Sequence, residues 1–109
     1  MFNRAYVTAP VCSASRSAII VGQSAIRFGG HQHRSSRTKD TRLYLPDGYK
    51  LLPEIMIENG YTTFNHGKND YNFFYDMKKV YNYKSKSKTD FQDLVSKQPF
   101  FGQIQSKGG

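Results

Sequence analysis

Ala9-Pro10-Val11-Cys12-Ser13-Ala14-Ser15-Arg16-Ser17-Ala18-Ile19-Ile20-Val21-Gly22 contains the only cysteine of the chain. A proline-led extended run ends at Cys12. A run of small residues follows, turns apolar, and stops at a glycine. The pattern predicts a strand or loop that delivers Cys12 to the first turn of a short helix over residues 13–21, closed by Gly22. A helix leaves its first N–H groups outside its own ladder, and its dipole adds partial positive charge there. The sulfur is thus expected where an anion is favoured. Arg16, about one turn further on, can point back at the same spot. A nucleophile precursor, an anion cradle and a guanidinium converge on one short stretch.

The whole chain sets the frame for that stretch. Its 109 residues leave room for one small domain at most. The hydrophobic fraction of 38% is lean, and eight Tyr with eight Phe supply much of it. A formal charge of +8 favours anionic partners: sulfated or phosphorylated molecules, nucleic acid, or an acidic surface. One cysteine excludes an internal disulfide and any multi-cysteine metal site. No apolar run approaches the roughly 20 residues needed to span a membrane. Met1-Phe2-Asn3-Arg4-Ala5-Tyr6 lacks the apolar core of a secretion signal. The chain opens mid-pattern and stops at Lys107-Gly108-Gly109 just after a strand-like run, so it reads as an internal piece of a longer protein.

Taken in order, residues 2–11 read as extended, with Tyr6, Val7 and Val11 as β-formers. The helix after them carries Ala18, Ile19, Ile20 and Val21, more apolar than a surface helix needs, and is expected to pack under a sheet edge. Residues 23–42 are rich in Gly, Ser, Arg and His without a sustained period and read as a long loop, continuous with a turn at Leu45-Pro46-Asp47-Gly48. Within it, His31, His33 and Arg34 can bind a sulfate or a sugar carboxylate. A solvated basic loop or a partial metal site fits the same residues. A second helix is expected between Tyr49 and Asn59, starting near Pro53, with Leu51, Leu52, Ile55 and Met56 as its core face and Gly60 closing it.

Tyr61 to His66 alternates like a strand and leads into Gly67-Lys68. Residues 71–88 mix aromatics with lysines. That composition fits a stacking surface for single-stranded nucleic acid, or a surface insertion that recognises substrate or covers the sheet. Lys84-Ser85-Lys86-Ser87-Lys88 is polar linker. Thr89-Asp90 can cap a helix running to about Lys97, with Phe91, Leu94 and Val95 on one face. Pro99 then opens a buried-strand candidate, Phe100-Phe101-Gly102-Gln103-Ile104-Gln105. Alternating helices and strands predict an α/β fold with a mainly parallel sheet.

Four stretches carry a family resemblance. Cys12-Ser13-Ala14-Ser15-Arg16 with Gly22 resembles the first signature of the type I sulfatases, Cys-x-Pro-Ser-Arg followed by five variable residues and Gly. Ala14 stands where that pattern has Pro, a replacement the maturation motif tolerates. Gly60-Tyr61-x-Thr63-x-x-x-Gly67-Lys68 is similar to the second signature, Gly-Tyr-x-Ser/Thr and then Gly-Lys. That signature continues Trp-His, whereas this chain has Asn69-Asp70. Gly30-His31-Gln32-His33-Arg34-Ser35-Ser36 resembles a Gly-x-His-x-His-Arg-Ser run of some sulfatase subgroups, and Pro99-Phe100-Phe101 a Lys-Pro-Phe-Phe strand.

The resemblance implies an alkaline-phosphatase-like catalytic domain, of which residues 1–109 would be a part, and hydrolysis of a sulfate ester of a small molecule or glycan. It implies conversion of Cys12 to formylglycine by a formylglycine-generating or anaerobic sulfatase-maturating enzyme. Arg16 would hold the hydrated aldehyde, Lys68 would reach the sulfate, and His31, His33 and Arg34 would contact substrate. It also implies a calcium ion with oxygen ligands, of which position 12 would be the one supplied here; the family's carboxylate pairs have no counterpart in this sequence. The isolated chain is therefore expected to be inactive and poorly folded. Periplasmic or secreted location is what the family suggests. Two rivals remain on the residues alone. A thiolate phosphatase needs its arginine six positions after the cysteine, and Arg16 is four after. A non-enzymatic module binding nucleic acid or another polyanion accounts for the charge and aromatics and leaves the two ordered signatures as coincidence.

Overall fold

The computed structural model describes residues 3–84 and 92–105. Its elements are α1 (Cys12–Val21), a single 3-10 turn (Arg34–Ser36), α2 (Leu52–Glu58), β1 (Thr62–His66), α3 (Met77–Val80), α4 (Gln92–Val95) and β2 (Phe100–Ile104). They fall into two compact units, Met1–Tyr49 with Asp70–Phe74, and Lys50–Asn69 with Tyr75–Gly109. The architecture is mixed α/β.

In the first unit α1 begins at Cys12 itself, one residue earlier than the sequence pattern predicts. Val11 precedes it in extended conformation, and the Ser15 N–H donates to the Val11 carbonyl at 3.0 Å to open the helical ladder. Gly22 at φ 70° ends the helix, and the Gln23 N–H turns back to the Ala18 carbonyl at 3.2 Å. This left-handed stop is the one expected of a glycine after an apolar run. The buried face of α1 is Ser13, Ala14, Ser17, Ala18, Ile20 and Val21. Ile19 is not part of it: it is 62% exposed, because it lies on the opposite side of the helix from Ser17 and Val21. Residues 3–11 pair with no strand among the described residues.

The first part of the long loop is packed, and residues 31–42 are exposed apart from the half-buried Arg37. Ala25 and Phe28 are buried, and Phe28 meets Phe73 edge to face with ring centroids 6.2 Å apart. Tyr71 stacks on Phe73 at 5.7 Å. Tyr71, Asn72 and Phe73, expected in a basic aromatic surface segment over 71–88, are thus buried in this unit. Two aromatic rings and an amide with internal partners are better placed away from water than in it. Phe74, Met77, Lys78 and Lys79 are exposed.

In the second unit β1 and β2 run parallel, Thr62 opposite Phe100 and His66 opposite Ile104. The parallel pairing agrees with the α/β expectation. Phe64, 1% exposed, lies against Gly102, where any side chain would collide with its ring. β2 itself is half-exposed rather than buried: Phe100 and Ile104 are 43% and 62% exposed, and among the described residues β1 alone pairs with it. α2 starts at Leu52 with Pro53 in its first turn, and Glu54 reaches back to accept from the Leu51 N–H at 2.7 Å. That reach-back contact satisfies one of the first-turn donors. Leu51 and Pro53 are buried, Leu52, Met56 and Ile57 half-buried, and Ile55 is 43% exposed, so within the helix the apolar face lies one position toward the C-terminus from the predicted one. Thr63, fully buried, donates its hydroxyl to the Val80 carbonyl at 3.0 Å and ties α3 to β1. α4 keeps Leu94 buried; the predicted cap at Thr89-Asp90, Phe91 and residues 85–88 lie outside the described residues.

Candidate active site

Cys12 is exposed, lies in no disulfide, and is the first residue of α1. Val7, Pro10, Val11, Arg16 and Ile19 line an open groove beside it. Cys12, at the N-terminus of α1, and Arg16 both line this groove within the first unit. The thiol donates to Asp70 Oδ2 at 3.6 Å. Arg34 Nη1 donates to the other oxygen of the same carboxylate, Oδ1, at 3.1 Å.

Two buried serines of α1 hold the surrounding backbone. Ser13 Oγ accepts from the Arg34 N–H at 3.1 Å, and Ser17 Oγ accepts from the Asn72 N–H at 2.8 Å. Their spacing of four residues puts both on one helix face. Their small size lets two loops approach the helix closely enough to bond to it. Asn72 completes the frame from inside. Its Nδ2 donates to the Gly30 carbonyl at 3.1 Å and also to the Gln32 carbonyl, and its Oδ1 accepts from Arg37 Nε at 2.8 Å. Arg37 donates in turn to the Gly29 carbonyl at 2.6 Å and the Thr41 carbonyl at 3.2 Å. The loop carrying His31, His33 and Arg34 is therefore fixed at both sides of the histidines, at 29–30 and at 34.

Within that frame His31 is exposed. His33 caps the 3-10 turn, its Nδ1 accepting from the Ser35 N–H at 3.1 Å with the Ser35 hydroxyl at 2.5 Å. Arg34 is drawn to Asp70. Lys68 belongs to the second unit, with an exposed side chain; its backbone N–H donates to Gln105 Oε1 at 2.9 Å, and its carbonyl accepts from Gln105 Nε2 at 2.5 Å. His66 lies in β1, half-buried, its ring 5.0 Å from that of Phe64.

Sequence reasoning missed Ser13 and Ser17 as anchors, Asn72 as the internal support, and Asp70 as the partner of Cys12. For Asp70 a signal existed: it is where the second signature departs from its pattern. The others bond to backbone 21 to 55 residues away and leave no mark in local composition.

Among the described residues no group of three or more His, Cys, Asp or Glu side chains could hold a metal ion. A calcium ion needs six to eight oxygen ligands, and these residues do not make such a shell. No helix among the described residues is long and apolar enough to cross a membrane.

Comparison with known proteins identifies a family. A curated relative, N-acetylgalactosamine-6-sulfatase of Sus scrofa, is 32% identical over 68 residues, which is 58% of this chain and 13% of that protein. The chain thus matches only about an eighth of the length of that relative. No solved structure matches. The family described as Sulfatase matches residues 1–107, and the chain belongs to the sulfatase family.

Proposed function

We propose that the groove at the start of α1 is the nucleophile end of a sulfatase active site, whose reaction, when the site is complete, is hydrolysis of sulfate esters of carbohydrate through a formylglycine made from Cys12. The observation that carries the reading is the position of Cys12: an exposed thiol at the first residue of a helix, with Arg16 in the same groove. The matched relative, a carbohydrate sulfatase by name, supports the substrate class.

The side chain fits the modification. Cys12 is accessible to a formylglycine-generating or anaerobic maturating enzyme, and no packing has to be undone to reach it. Formylglycine supplies, as its hydrate, one hydroxyl to attack sulfur and a second whose proton loss releases sulfate. The residues of the chain supply the rest. Arg16 holds the group at position 12 and offsets the charge of the sulfate. The first-turn N–H groups of α1 add a positive field at the same end. Lys68 takes the role of binding a sulfate oxygen from its place in the second signature alone, and His31 and His33 are offered to substrate from a loop that Asn72 and Ser13 hold in place. Fixed cations and dipoles of this kind act most where charge accumulates in the transition state.

The test is binding of inorganic sulfate and of a sulfated monosaccharide, followed by NMR on the chain. Arg16→Ala and Lys68→Ala are expected to weaken both, by about tenfold each, the cost of one charge-assisted hydrogen bond. Unchanged sulfate binding in both variants, with RNA bound tightly and lost steeply with added salt, would instead identify a general polyanion surface.

A further inference from the structure

Three observations meet at Asp70. It has φ 50°, the one positive value outside glycine among the described residues. Asp and Asn enter this left-handed region more readily than most residues, and residues held there cluster at functional positions. Its side chain is only 14% exposed. Its two oxygens are divided between the thiol of Cys12, at 3.6 Å, and the guanidinium of Arg34, at 3.1 Å. All three residues lie in the first unit, so this triad is internal to one compact body.

We propose that Asp70 is a catalytic residue of this site, the acceptor for the hydroxyl proton of the nucleophile at position 12, with Arg34 as the residue that positions it. The proposal deepens the sulfatase reading and rests on it. The step moves one proton: the O–H bond at position 12 breaks, a bond forms to Asp70 Oδ2, and the electron pair stays on the nucleophile's oxygen. A proton acceptor must lie within hydrogen-bond reach of the proton it takes, and Oδ2 already accepts from the atom that the modification replaces. Arg34 bonds to the opposite oxygen and so leaves Oδ2 directed at position 12. A carboxylate thereby occupies the place where the family's second signature has histidine. The same geometry moves Arg34 from contacting substrate to acting through Asp70.

Two rates test this on the full chain. The first is alkylation of Cys12 by iodoacetamide at neutral pH, read by intact mass. Asp70→Asn keeps a residue that accepts the left-handed backbone and removes the charge. It is expected to speed alkylation about threefold or more, because the carboxylate holds the S–H and repels the thiolate that reacts. Arg34→Gln is expected to slow it by a similar factor, leaving the carboxylate uncompensated. Opposite signs are the signature; mere loosening of the fold would speed both. The second is labelling of the formylglycine-bearing chain by an aminooxy probe, which Asp70→Asn should accelerate, since the carboxylate favours the hydrated form it bonds to. Equal alkylation rates in wild type and both variants, or shifts of the same sign, would overturn the proposal. A Cys12 that no maturating enzyme converts would overturn the sulfatase reading and the hydroxyl step with it, whereas conversion with unchanged alkylation rates would overturn the role of Asp70 alone.

Discussion

Truncating Asn72 to alanine removes the internal support of the loop that carries the histidines. The side chain is 2% exposed and makes three hydrogen bonds: to the Gly30 and Gln32 carbonyls through Nδ2, and from Arg37 through Oδ1. Its backbone bond to Ser17 survives the substitution. Two neutral bonds at about 1 kcal/mol each and one to a guanidinium at about 1.5–3 kcal/mol give a gross loss of about 4 kcal/mol. Arg37 retains the Gly29 and Thr41 carbonyls and is only partly buried, so water replaces some of its share. A net cost of about 3 kcal/mol is left, roughly a hundredfold in the opening equilibrium of the loop. Hydrogen exchange with mass spectrometry reads this directly. Peptides spanning residues 26–37 of Asn72→Ala should exchange roughly a hundred times faster than in the wild type. Peptides from β1, in the other unit, should change far less. Unchanged exchange at 26–37 would refute the view that Asn72 supports this loop.

Two further substitutions probe one element in each unit. Gly102→Ala places a methyl group inside contact distance of the Phe64 ring and should destabilise the β1–β2 pair by about 1–3 kcal/mol, measured by urea unfolding. Phe64→Leu in the same chain should recover part of that loss, and strict additivity of the two changes would contradict their contact. Gly22→Ala has open space for its methyl group but keeps φ 70°, so its cost is conformational, about 1 kcal/mol, and Gly22→Asn should cost less; equal stability of Gly22→Ala and wild type would show that the helix ends otherwise.

What could be read from the sequence and what could not divide by range. Gly22 and Gly60 end their helices because an apolar period stopping at glycine is a local signal, and both take positive φ. The parallel pairing of Thr62–His66 with Phe100–Ile104 follows from a strand, intervening helical segments and a second strand. Cys12 and Arg16 share a groove because four residues of helix bring them to one side. The misses lie where the partner is distant. Ile19 and Ile55 are as apolar as their neighbours, and only the tertiary surroundings decide that they face outward. Tyr71-Asn72-Phe73 looks like exposed aromatic sequence until Phe28, Ser17 and two loop carbonyls are brought to it. Asp70 lies 58 residues from Cys12, and its backbone conformation rather than its neighbours turns it inward.

The most direct test of the sulfatase account is the state of position 12 after co-expression with a maturating enzyme. Peptide mass spectrometry should find the side chain CH2SH replaced by CHO in the wild type, with an aldehyde that an aminooxy probe captures. Cys12→Ala should give neither signal. A wild-type peptide that retains its thiol, under conditions that convert a known sulfatase in the same cells, would contradict the account.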